Sequence, residues 1–493
     1  MTSSTTWLPT KMMIGGKLVA GEGQPVTVHN PSTGDVTIEF AGASINQTKA
    51  AIAAARAAAD KGEWAARPQK ERVAIVRDLL ARFTARQDDL RDLIVTETGM
   101  PIKSFALPAQ VSAPLAQMDV MLDLCLKLPE IEENPITLDE RINNMGGFVQ
   151  SIRRYVPVGV VAAISAYNFP LHINLWKLMP ALATGNCVIL RPSPLTPLSA
   201  LALAEIAAEA GLPEGVLSII AESGAEGAQL LTTDPAVNMV SFTGSTEIGS
   251  IVAGQAAPSM KRLQLELGGK SAQIYLPDRV EAAFSAAVGV CIAHAGQGCV
   301  LGTRIFVPEA EKAKVLGAMA ASMAYLKIGD STDPETTMGP VISEAQAQRC
   351  ERYVKLAVDA GATLVSGGKR ADRPGYFFEP TILDVPDNKN PSAQDEIFGP
   401  VVSVIGYRDV EHAIEMANDS SLGLSGYVYG KDARAALDVA KRIRTGTINV
   451  NAFFASANSS SGGVKMSGIG RERGVEGIRA FQDVQVMNLG SAV

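Results

Sequence analysis

A regular alternation of short apolar runs and helical segments starts near residue 156 and constrains the fold more than any other feature of the sequence. Residues 158–165 form a continuous apolar run of a length typical of a strand that is buried on both faces. A helical segment follows, and the same pair of features then recurs along the chain. Further apolar runs of strand length lie at residues 187–190, 216–220 and 239–242. This rhythm predicts an α/β fold built on a doubly wound sheet.

The sequence before residue 156 predicts a capped helix, and the sequence after Glu266 predicts a second α/β unit. Ser44-Ile45-Asn46-Gln47 has the pattern of a capping box and opens an alanine-rich helix that we expect to end near Lys61. Beyond Glu266 a second α/β pattern continues to about residue 450. The 493 residues are therefore expected to form more than one domain.

In a doubly wound sheet, ligands bind where the carboxyl ends of the parallel strands meet. Residues 166–169, 191–194 and 243–246 each follow a predicted strand, so they are expected at one crevice. In the third segment, a helix that starts just after Gly244 would direct its free N–H groups and its positive end at a pyrophosphate. The segment matches neither the Gly-x-Gly-x-x-Gly fingerprint nor a P-loop, and an ordinary strand–helix turn explains it equally well.

The stretch from Leu265 to Arg304 supplies residues for covalent catalysis. Glu266 lies between two leucines, and burial there would raise its pKa toward the range of a general base. Cys299 lies in a glycine-rich loop, whose small residues let a carbonyl substrate approach the sulfur. A nucleophilic cysteine with a nearby base indicates a mechanism through a thioester.

Together these motifs resemble those of the aldehyde dehydrogenase superfamily, in its hydrolytic, NAD(P)-dependent branch. The resemblance extends from about Gly15 to the C-terminus, which is nearly the whole chain. It is specific because several motifs occur together in the order found in the family. They are Tyr167-Asn168-Phe169-Pro170, Phe242-Thr243-Gly244-Ser245, Glu266-Leu267-Gly268-Gly269, the Cys299 loop and Glu396-Ile397-Phe398-Gly399-Pro400.

The resemblance implies an aldehyde-dehydrogenase-like α/β fold with three parts. A doubly wound cofactor domain would comprise residues 1–128 and 151–264, and a second α/β catalytic domain would comprise residues 265–460. Residues 129–150 and 480–493 would form a small β oligomerisation arm, in which the excursion before residue 151 pairs with the last strand. A homodimer or homotetramer is therefore expected.

The resemblance also implies a role for each catalytic residue. Cys299 would attack the aldehyde, Asn168 and the backbone N–H of Cys299 would stabilise the oxyanion, and Glu266 would activate the hydrolytic water. Because the branch that forms acyl-CoA lacks the Glu266 counterpart, hydrolysis to the acid is favoured over transfer to coenzyme A. A CoA-acylating dehydrogenase and a non-catalytic structural or ligand-binding protein of this fold stay open as alternatives. A hydrolase that pairs Cys299 with His294 is disfavoured, because it leaves the strand–turn motifs unused.

For the cofactor the resemblance implies NAD, bound at the crevice of the first sheet. Lys177 and the turn at Arg191 would contact the adenosine ribose, and Ser245 would contact the pyrophosphate. Glu396 would bind the hydroxyls of the nicotinamide ribose, and Phe398 would pack against the nicotinamide. The remaining predicted cofactor contacts are Ser165, Ala166, Ser193, Gly244 and Leu267.

The turn at Arg191 departs from the family pattern. Arg191-Pro192-Ser193-Pro194 replaces the usual Lys-Pro-(Ala/Ser)-Glu, so the carboxylate that accepts from the ribose 2'-hydroxyl is missing. The guanidinium of Arg191 could instead pair with a 2'-phosphate. NADP is therefore a second candidate cofactor beside NAD.

Residues matched to the substrate tunnel of the family predict the chemistry of the aldehyde. Semialdehyde enzymes of the family have an arginine at the position of Trp176, and this arginine holds the distal carboxylate. Without it, the aromatic lining favours an uncharged hydrophobic aldehyde, either aromatic or medium-chain. The predicted lining residues are Phe169, His172, Trp176, Gly298, Val300, Phe453 and Phe454.

Composition and charge exclude several other functions. The formal net charge of −7 gives no basis for binding nucleic acid or an anionic membrane. The five cysteines are scattered without zinc spacing, which predicts a reducing compartment and no metal site. The sequence shows no basic and apolar leader and no apolar run of about 18 residues, so we expect a cytoplasmic protein without a membrane span.

Overall fold

The computed structural model describes residues 7–104, 107–142 and 147–490. These residues form two α/β units, each around its own large sheet, a separate three-stranded sheet and two small two-stranded sheets. The architecture confirms the predicted α/β fold. Within these ranges no helix is long and apolar enough to cross a lipid bilayer.

The chain up to residue 266 contains most of the first sheet, the helices that cover it, and two strands of the separate sheet. Its strands are β1 Met12–Ile14, β2 Lys17–Val19, β3 Pro25–His29, β4 Val36–Ala41, β5 Ile131–Glu133, β6 Val149–Pro157, β7 Val160–Ile164, β8 Cys187–Arg191, β9 Leu217–Ile219, β10 Met239–Thr243 and β11 Arg262–Glu266. Its α-helices are α1 Ile45–Lys61, α2 Glu63–Ala66, α3 Gln69–Ala85, α4 Gln87–Thr98, α5 Leu107–Gln110, α6 Ser112–Lys127, α7 Pro170–Ala183, α8 Leu198–Ala207, α9 Glu226–Thr233 and α10 Thr246–Ala256.

The rest of the chain contains the second sheet and then returns to the first unit. Its strands are β12 Ala272–Tyr275, β13 Arg304–Pro308, β14 Thr363–Ser366, β15 Thr381–Val385, β16 Val401–Tyr407, β17 Leu422–Gly423, β18 Ser425–Tyr429, β19 Thr447–Val450, β20 Val464–Lys465, β21 Gly468–Ile469 and β22 Gln482–Gly490. Its α-helices are α11 Ala286–Ile292, α12 Lys312–Met323, α13 Glu344–Asp359, α14 Pro391–Gln394, α15 Val410–Asn418, α16 Ala433–Ala440 and α17 Gly474–Arg479.

Helix α1 begins and ends where the sequence predicted. The Ser44 hydroxyl accepts a hydrogen bond from the Gln47 backbone N–H, and the Gln47 side chain accepts one from the Ser44 N–H at 3.1 Å. The helix ends at Lys61, and Gly62 follows in the left-handed conformation with φ of 70°. The capping box is therefore confirmed.

The first sheet has the strand order β2-β1-β9-β8-β7-β10-β11-β21. Its five central strands, β9, β8, β7, β10 and β11, are parallel to one another. All five residues of β7 are buried, as its continuous apolar run predicted. From β7 the chain proceeds to β8 and β9 on one side and then crosses to β10 and β11 on the other. The strand order thus reverses between β7 and β10, which is where doubly wound sheets bind ligands.

The second sheet has the strand order β14-β15-β16-β13-β12-β18-β19, and its pairs are parallel except for β14 with β15. Alternate residues of β13 belong to different apolar clusters, Phe306 to one and Ile305 with Val307 to the other, so both faces of the sheet are covered. The chain passes from the first sheet to the second within residues 267–271. The Glu-Leu-Gly-Gly motif is therefore the connection between the two units.

The third sheet has the order β22-β6-β5. The last strand pairs with β6 over its whole length, from Gln482 opposite Pro157 to Gly490 opposite Val149. This pairing differs in detail from the expected one, because the partner strand is β6, most of which lies beyond residue 151. The predicted excursion contributes β5 on the far side of β6.

Candidate active site

Glu266 and the predicted pyrophosphate turn lie at the ends of neighbouring strands. Glu266 is the last residue of β11 and lies opposite Thr243, the last residue of β10. The Gly244 N–H donates to the Glu266 carbonyl at 3.1 Å. The candidate base Glu266 therefore lies at the edge of the predicted cofactor crevice, immediately before the connection to the second sheet.

The two glycines after Leu267 allow two close approaches. A Cβ atom on Gly269 would lie 2.2 Å from the carbonyl oxygen of Cys299, and one on Gly268 would lie 2.5 Å from a carboxylate oxygen of Glu396. The Gly269 N–H donates to the other Glu396 oxygen at 2.8 Å. Only residues without a side chain let the cysteine loop and Glu396 pack this closely against the connection.

Cys299 is half-buried, whereas the other four cysteines of the chain are buried. Burial raises the pKa of the Cys299 thiol to about 12, and the charges of Glu396 and Glu266 raise it further, while its own backbone N–H lowers it. The thiol is therefore mainly protonated near neutral pH, and an attack on a carbonyl needs a base that removes its proton.

Glu266 has the properties of such a base. Burial raises its pKa well above the usual range for a carboxyl, and the charge of Glu472 raises it further, while the charges of Lys177, Arg471 and Arg473 lower it. One of its carboxyl oxygens is buried without a hydrogen-bond partner among the described residues. A carboxyl with a raised pKa and an unused oxygen can accept a proton from a thiol or a water.

Asn168 is fixed beside the cysteine loop. Its side-chain Nδ2 donates to the backbone carbonyl of Gln297 at 2.9 Å, and its backbone carbonyl accepts from Gln110 Nε2 at 2.7 Å. Gln297 is held in turn, since its side chain accepts from the Ile342 N–H at 3.0 Å. The second N–H of the Asn168 amide is left for a ligand oxygen next to Cys299. Gln110 and Gln297 belong to no motif of the sequence, so their roles are visible only in the structure.

The crevice of the first sheet offers unused polar groups to a dinucleotide. The hydroxyls of Ser165, just after β7, and of Thr243, at the end of β10, are buried without a partner among the described residues. Ser245 caps α10 by accepting from the Ile248 N–H at 3.3 Å, so the helix starts at the predicted turn. The first N–H groups of α10 would face a phosphate bound at this turn. These groups fit the pyrophosphate and ribose of NAD.

The remaining predicted cofactor contacts lie around the same crevice. Ala166 follows Ser165, and Leu267 is buried against α10, where a Cβ on Gly249 would lie 2.4 Å from it. The rings of Phe398 and Tyr167 meet edge to face at 5.9 Å, which places Phe398 beside the Asn168 segment. Burial raises the pKa of Glu396 to about 7.

Lys177 does not lie at the surface of the crevice, where contact with the adenosine ribose was predicted. Its ammonium is fully buried and donates to Ser241 Oγ at 2.9 Å and to Glu472 Oε1 at 2.8 Å. This geometry joins Lys177 to the charges around Glu266 and leaves it without access to a ribose. Glu472 was not identified from the sequence, because it lies in the tail.

Arg191 ends β8 opposite Ile164, the last residue of β7, so it lies at the crevice as expected. Its guanidinium is already engaged: Nε donates to Glu222 at 3.0 Å and Nη2 donates to the Gly224 carbonyl at 2.6 Å. Glu222 is buried and also accepts from the Gly227 N–H at 2.7 Å. Arg191 therefore has a carboxylate partner where pairing with a phosphate was predicted. Ser193 is buried beside it.

Several predicted pocket residues surround the cysteine loop. The Phe169 ring meets the rings of His172 and His294 edge to face, at 6.3 and 6.1 Å. Phe453 stacks on Tyr427 at 6.3 Å, and the hydroxyl of Tyr427 donates to the Val300 carbonyl at 2.9 Å. Gly298 and Val300 flank Cys299 in the chain, and Phe454 is exposed beside Phe453.

The structure places a cation beside one of the predicted aromatic lining residues. The guanidinium of Arg473 lies over the Trp176 ring, 5.1 Å from its centroid, and its Nη2 is 2.6 Å from His172 Nε2. A cation therefore lies at the position of Trp176, although another segment of the chain supplies it. Arg473 lies almost 300 residues after Trp176 in the chain, so the residue type at position 176 does not indicate that a cation lies beside it.

His294 does not form a catalytic pair with Cys299. It is buried, burial lowers its pKa to about 3, and its Nε2 has no hydrogen-bond partner among the described residues. A histidine in this state is neutral and packs against Phe169 as an aromatic ring. The part of the chain that the structure describes also contains no group of His, Cys, Asp and Glu that could hold a metal ion.

Comparison with known proteins is consistent with this geometry. The sequence matches the model of the Aldehyde dehydrogenase family over residues 18–487. It is 34% identical over 473 residues to geranial dehydrogenase from Castellaniella defragrans, with 96% of this chain and 97% of that protein covered. The fold is similar to an aldehyde dehydrogenase from Mycobacterium tuberculosis in complex with NAD+, with a TM-score of 0.90, 38% identity and 97% of each chain covered. It is also similar to a variant of aldehyde dehydrogenase C from Pseudomonas syringae in complex with NAD+ and octanal, with a TM-score of 0.90, 32% identity, and 97% and 96% covered.

Proposed function

Because the chain belongs to the aldehyde dehydrogenase family, we propose that it oxidises an aldehyde to the carboxylic acid with NAD+ through a covalent intermediate on Cys299. The observation that carries this proposal is the convergence of three groups on one loop. Asn168 donates to the carbonyl of Gln297, the Cys299 carbonyl packs against Gly269, and Glu266 ends the strand that leads to this glycine.

In the first step the Cys299 thiol loses its proton and attacks the aldehyde carbon. Because the pKa of the thiol is about 12, proton transfer to Glu266 accompanies the attack. The carbonyl oxygen then carries the negative charge of a thiohemiacetal. The free amide N–H of Asn168 and the backbone N–H of Cys299 stabilise that charge.

NAD+, when bound, supplies the acceptor for the hydride that leaves the thiohemiacetal carbon. The product on the protein is a thioester of Cys299. Glu266 releases the thiol proton to the solvent and then takes a proton from a water molecule, whose oxygen attacks the thioester carbon. The proton now on Glu266 passes to the Cys299 thiolate as the C–S bond breaks. The carboxylic acid and the free thiol are released. Since Glu266 acts in its ionised form, its raised pKa sets the acid limit of activity.

NAD is proposed as the preferred cofactor over NADP. Arg191 at the end of β8 is paired with Glu222, so its charge is not free for a 2'-phosphate. The carboxylate of Glu222 would also repel that phosphate. The neighbouring structures from Mycobacterium tuberculosis and Pseudomonas syringae are complexes with NAD+.

The aldehyde is proposed to have a hydrophobic body, either aromatic or medium-chain. The resemblance assigns Phe169 and Trp176 to the pocket. Phe453 stacks on Tyr427, and the side chains of Phe453 and Phe454 are exposed, so both are available to an apolar ligand. Two similar proteins point the same way, one named for geranial and the other in complex with octanal.

A homo-oligomer is proposed to form through the third sheet. Val484 and Val486 on β22 are 57% and 56% exposed, and they share one face of the strand because they are two residues apart. β22 is also an edge strand of its sheet, so its free backbone groups can pair with another copy. Light scattering after gel filtration should show a dimer or tetramer, and Val484→Asp with Val486→Asp should reduce its mass.

The proposed reaction is tested by NADH formation with a panel that includes benzaldehyde and hexanal. Cys299→Ser should abolish turnover, because serine is not activated as a nucleophile in this site. Release of free acid without added coenzyme A would establish hydrolysis, and a requirement for coenzyme A would establish the acylating alternative. No turnover with any aldehyde and either cofactor would leave the non-catalytic alternative.

A further inference from the structure

We propose that Tyr427 and Gln273 are positioning residues that hold the loop of Cys299 against the second sheet. They keep the sulfur and the backbone N–H of Cys299 in the orientation that the reaction needs. The inference rests on the proposed function and adds two residues that belong to no motif of the sequence. It follows from two hydrogen bonds to the segment just after the nucleophile and one to the segment just before it.

Cys299 lies in a tight turn that is closed by a single hydrogen bond. The Leu301 N–H donates to the Gly298 carbonyl at 3.1 Å, so Cys299 and Val300 are the two central residues of the turn. One such bond closes a turn but does not fix its orientation relative to the rest of the protein. The direction of the Cys299 sulfur therefore depends on contacts between the turn and neighbouring elements.

Two adjacent residues of the second sheet contact the segment after Cys299. Tyr427 on β18 and Gln273 on β12 are opposite each other in the parallel pairing, so their side chains point to the same face of the sheet. The Tyr427 hydroxyl donates to the Val300 carbonyl at 2.9 Å, and Gln273 Nε2 donates to the Gly302 carbonyl at 2.6 Å. Two neighbouring donors thus hold two carbonyls of one loop.

Both donors are themselves fixed in place. The side chains of Tyr427 and Gln273 are 4% and 7% exposed, and the Tyr427 ring stacks on Phe453 at 6.3 Å. Gln273 Oε1 accepts from the Tyr275 hydroxyl at 2.6 Å, which orients the amide so that Nε2 faces the loop. A Cβ atom on Gly302 would lie 2.2 Å from the Gln273 side chain, so a glycine is needed for this close approach.

The Tyr427 hydroxyl acts as a donor and not as a second base. Burial raises the pKa of Tyr427 above that of a free phenol, and the charges of Tyr429 and Cys299 raise it further. The hydroxyl therefore keeps its proton, which is directed at the Val300 carbonyl. Tyr427 holds the loop, while the proton of the thiol goes to Glu266.

The segment before Cys299 is held by the other α/β unit. Asn168 Nδ2 donates to the Gln297 carbonyl at 2.9 Å. Between the held carbonyls of Gln297 and Val300 lie only the residues that carry the nucleophile and the backbone N–H proposed for the oxyanion. Because a misplacement of about 1 Å can reduce a rate by roughly 100-fold, loosening the loop at Val300 should slow the reaction.

Tyr427→Phe is the first test, because it removes the hydroxyl and keeps the ring. It should lower kcat with benzaldehyde by about tenfold and leave KM for NAD+ nearly unchanged, since the crevice of the first sheet is not altered. Gln273→Met removes the second donor and should have an effect of similar size. Tyr429→Phe is the matched control on the same strand, because the Tyr429 ring stacks on Tyr275 instead of holding the loop, and its kcat should be unchanged.

Alkylation of Cys299 separates a positioning role from a loss of folded protein. Iodoacetamide needs no oxyanion donors, so its rate with Tyr427→Phe should stay within about twofold of the wild type while turnover falls. Equal losses of turnover and alkylation would assign Tyr427 to the stability of the fold and overturn the proposal. A kcat within about twofold of the wild type in both Tyr427→Phe and Gln273→Met would also overturn it.

Hydrogen exchange tests the loop without a substrate. The amides of residues 299–303 should exchange about fivefold faster in Tyr427→Phe, because a hydrogen bond that holds the turn is lost. Unchanged exchange in this segment would contradict the proposal. Faster exchange in a protein whose wild type oxidises no aldehyde would contradict the proposed function, while the role of Tyr427 in holding the loop would stand.

Discussion

Lys177 and Glu472 form a partly buried ion pair, with Nζ 2.8 Å from Oε1, although 295 residues separate them in the chain. Both charges act on the candidate base, since Glu472 raises the pKa of Glu266 and Lys177 lowers it. The ammonium is held further by Ser241 at 2.9 Å. The acidity of Glu266 therefore depends on a contact between α7 and the C-terminal segment.

Removal of the Glu472 charge should make Glu266 a stronger acid. In Glu472→Gln the repulsion between the two carboxylates is lost and Lys177 keeps its charge, so the pKa of Glu266 falls. The acid limb of the kcat–pH profile should move to lower pH by roughly one unit. Glu476→Gln, a change at an exposed carboxylate four residues later, is the control. An acid limb of Glu472→Gln at the same pH as in the wild type, or at a higher pH, would show that the ion pair does not set the pKa of Glu266.

The high pKa of Cys299 predicts how the free protein reacts with an alkylating agent. Because the pKa is about 12, the rate with iodoacetamide should rise about tenfold per pH unit and reach no plateau below pH 9.5. Glu266→Gln removes a charge that raises this pKa, so it should react faster at the same pH. Mass spectrometry should find the label on Cys299 only, since the other cysteines are buried. An alkylation rate that reaches a plateau near neutral pH would show that the pKa of Cys299 is not raised by burial.

The Arg191–Glu222 pair predicts the choice between NAD+ and NADP+. The wild type should use NADP+ poorly, and Glu222→Gln should raise kcat/KM for NADP+ about tenfold by freeing the guanidinium and removing the repulsion. The double variant with Arg191→Gln should lose this gain. Because Glu222 also accepts from the N–H groups of Gly227 and Ala228, the melting temperature has to be measured alongside. Efficient use of NADP+ by the wild type would contradict the prediction.

Asn168 is expected to act on the transition state more than on the bound substrate. Asn168→Ala should lower kcat by roughly 100–1,000-fold and leave KM for NAD+ nearly unchanged, because the amide stabilises the oxyanion. The loss of its bond to Gln297 should cost about 1 kcal/mol of stability, which thermal unfolding measures. A kcat within threefold of the wild type would assign oxyanion stabilisation to another donor.

Local patterns in the sequence were sufficient for the frame of the fold. The buried run of β7, the capping box at Ser44 and the turn at Gly244 each depend on neighbouring residues, and the structure has them as predicted. The two glycines after Leu267 were recognised as part of a motif, and the structure shows why these positions need glycine. A side chain at Gly268 or Gly269 would collide with Glu396 or with the Cys299 carbonyl.

The contacts that tune the site could not be read from local patterns. Lys177 matched a motif and was assigned to a ribose, but its partner comes from a segment 295 residues away. Arg473 reaches His172 over 301 residues, and Glu222 meets Arg191 at the end of a neighbouring strand. Periodicity and spacing do not report such pairs, because they depend on how the two ends of the chain pack together.

The central claim is that Cys299 carries the acyl group until Glu266 activates water, and Glu266→Gln tests it most directly. With NAD+ and benzaldehyde this variant should form NADH more slowly than the wild type, because Glu266 also takes the proton of the thiol. It should stop after about one NADH per active site, because hydrolysis of the thioester is blocked. Mass spectrometry of the quenched protein should show the benzoyl group on the peptide that contains Cys299. Continued turnover of Glu266→Gln at the wild-type rate, or a burst of NADH with no acyl group on Cys299, would contradict this mechanism.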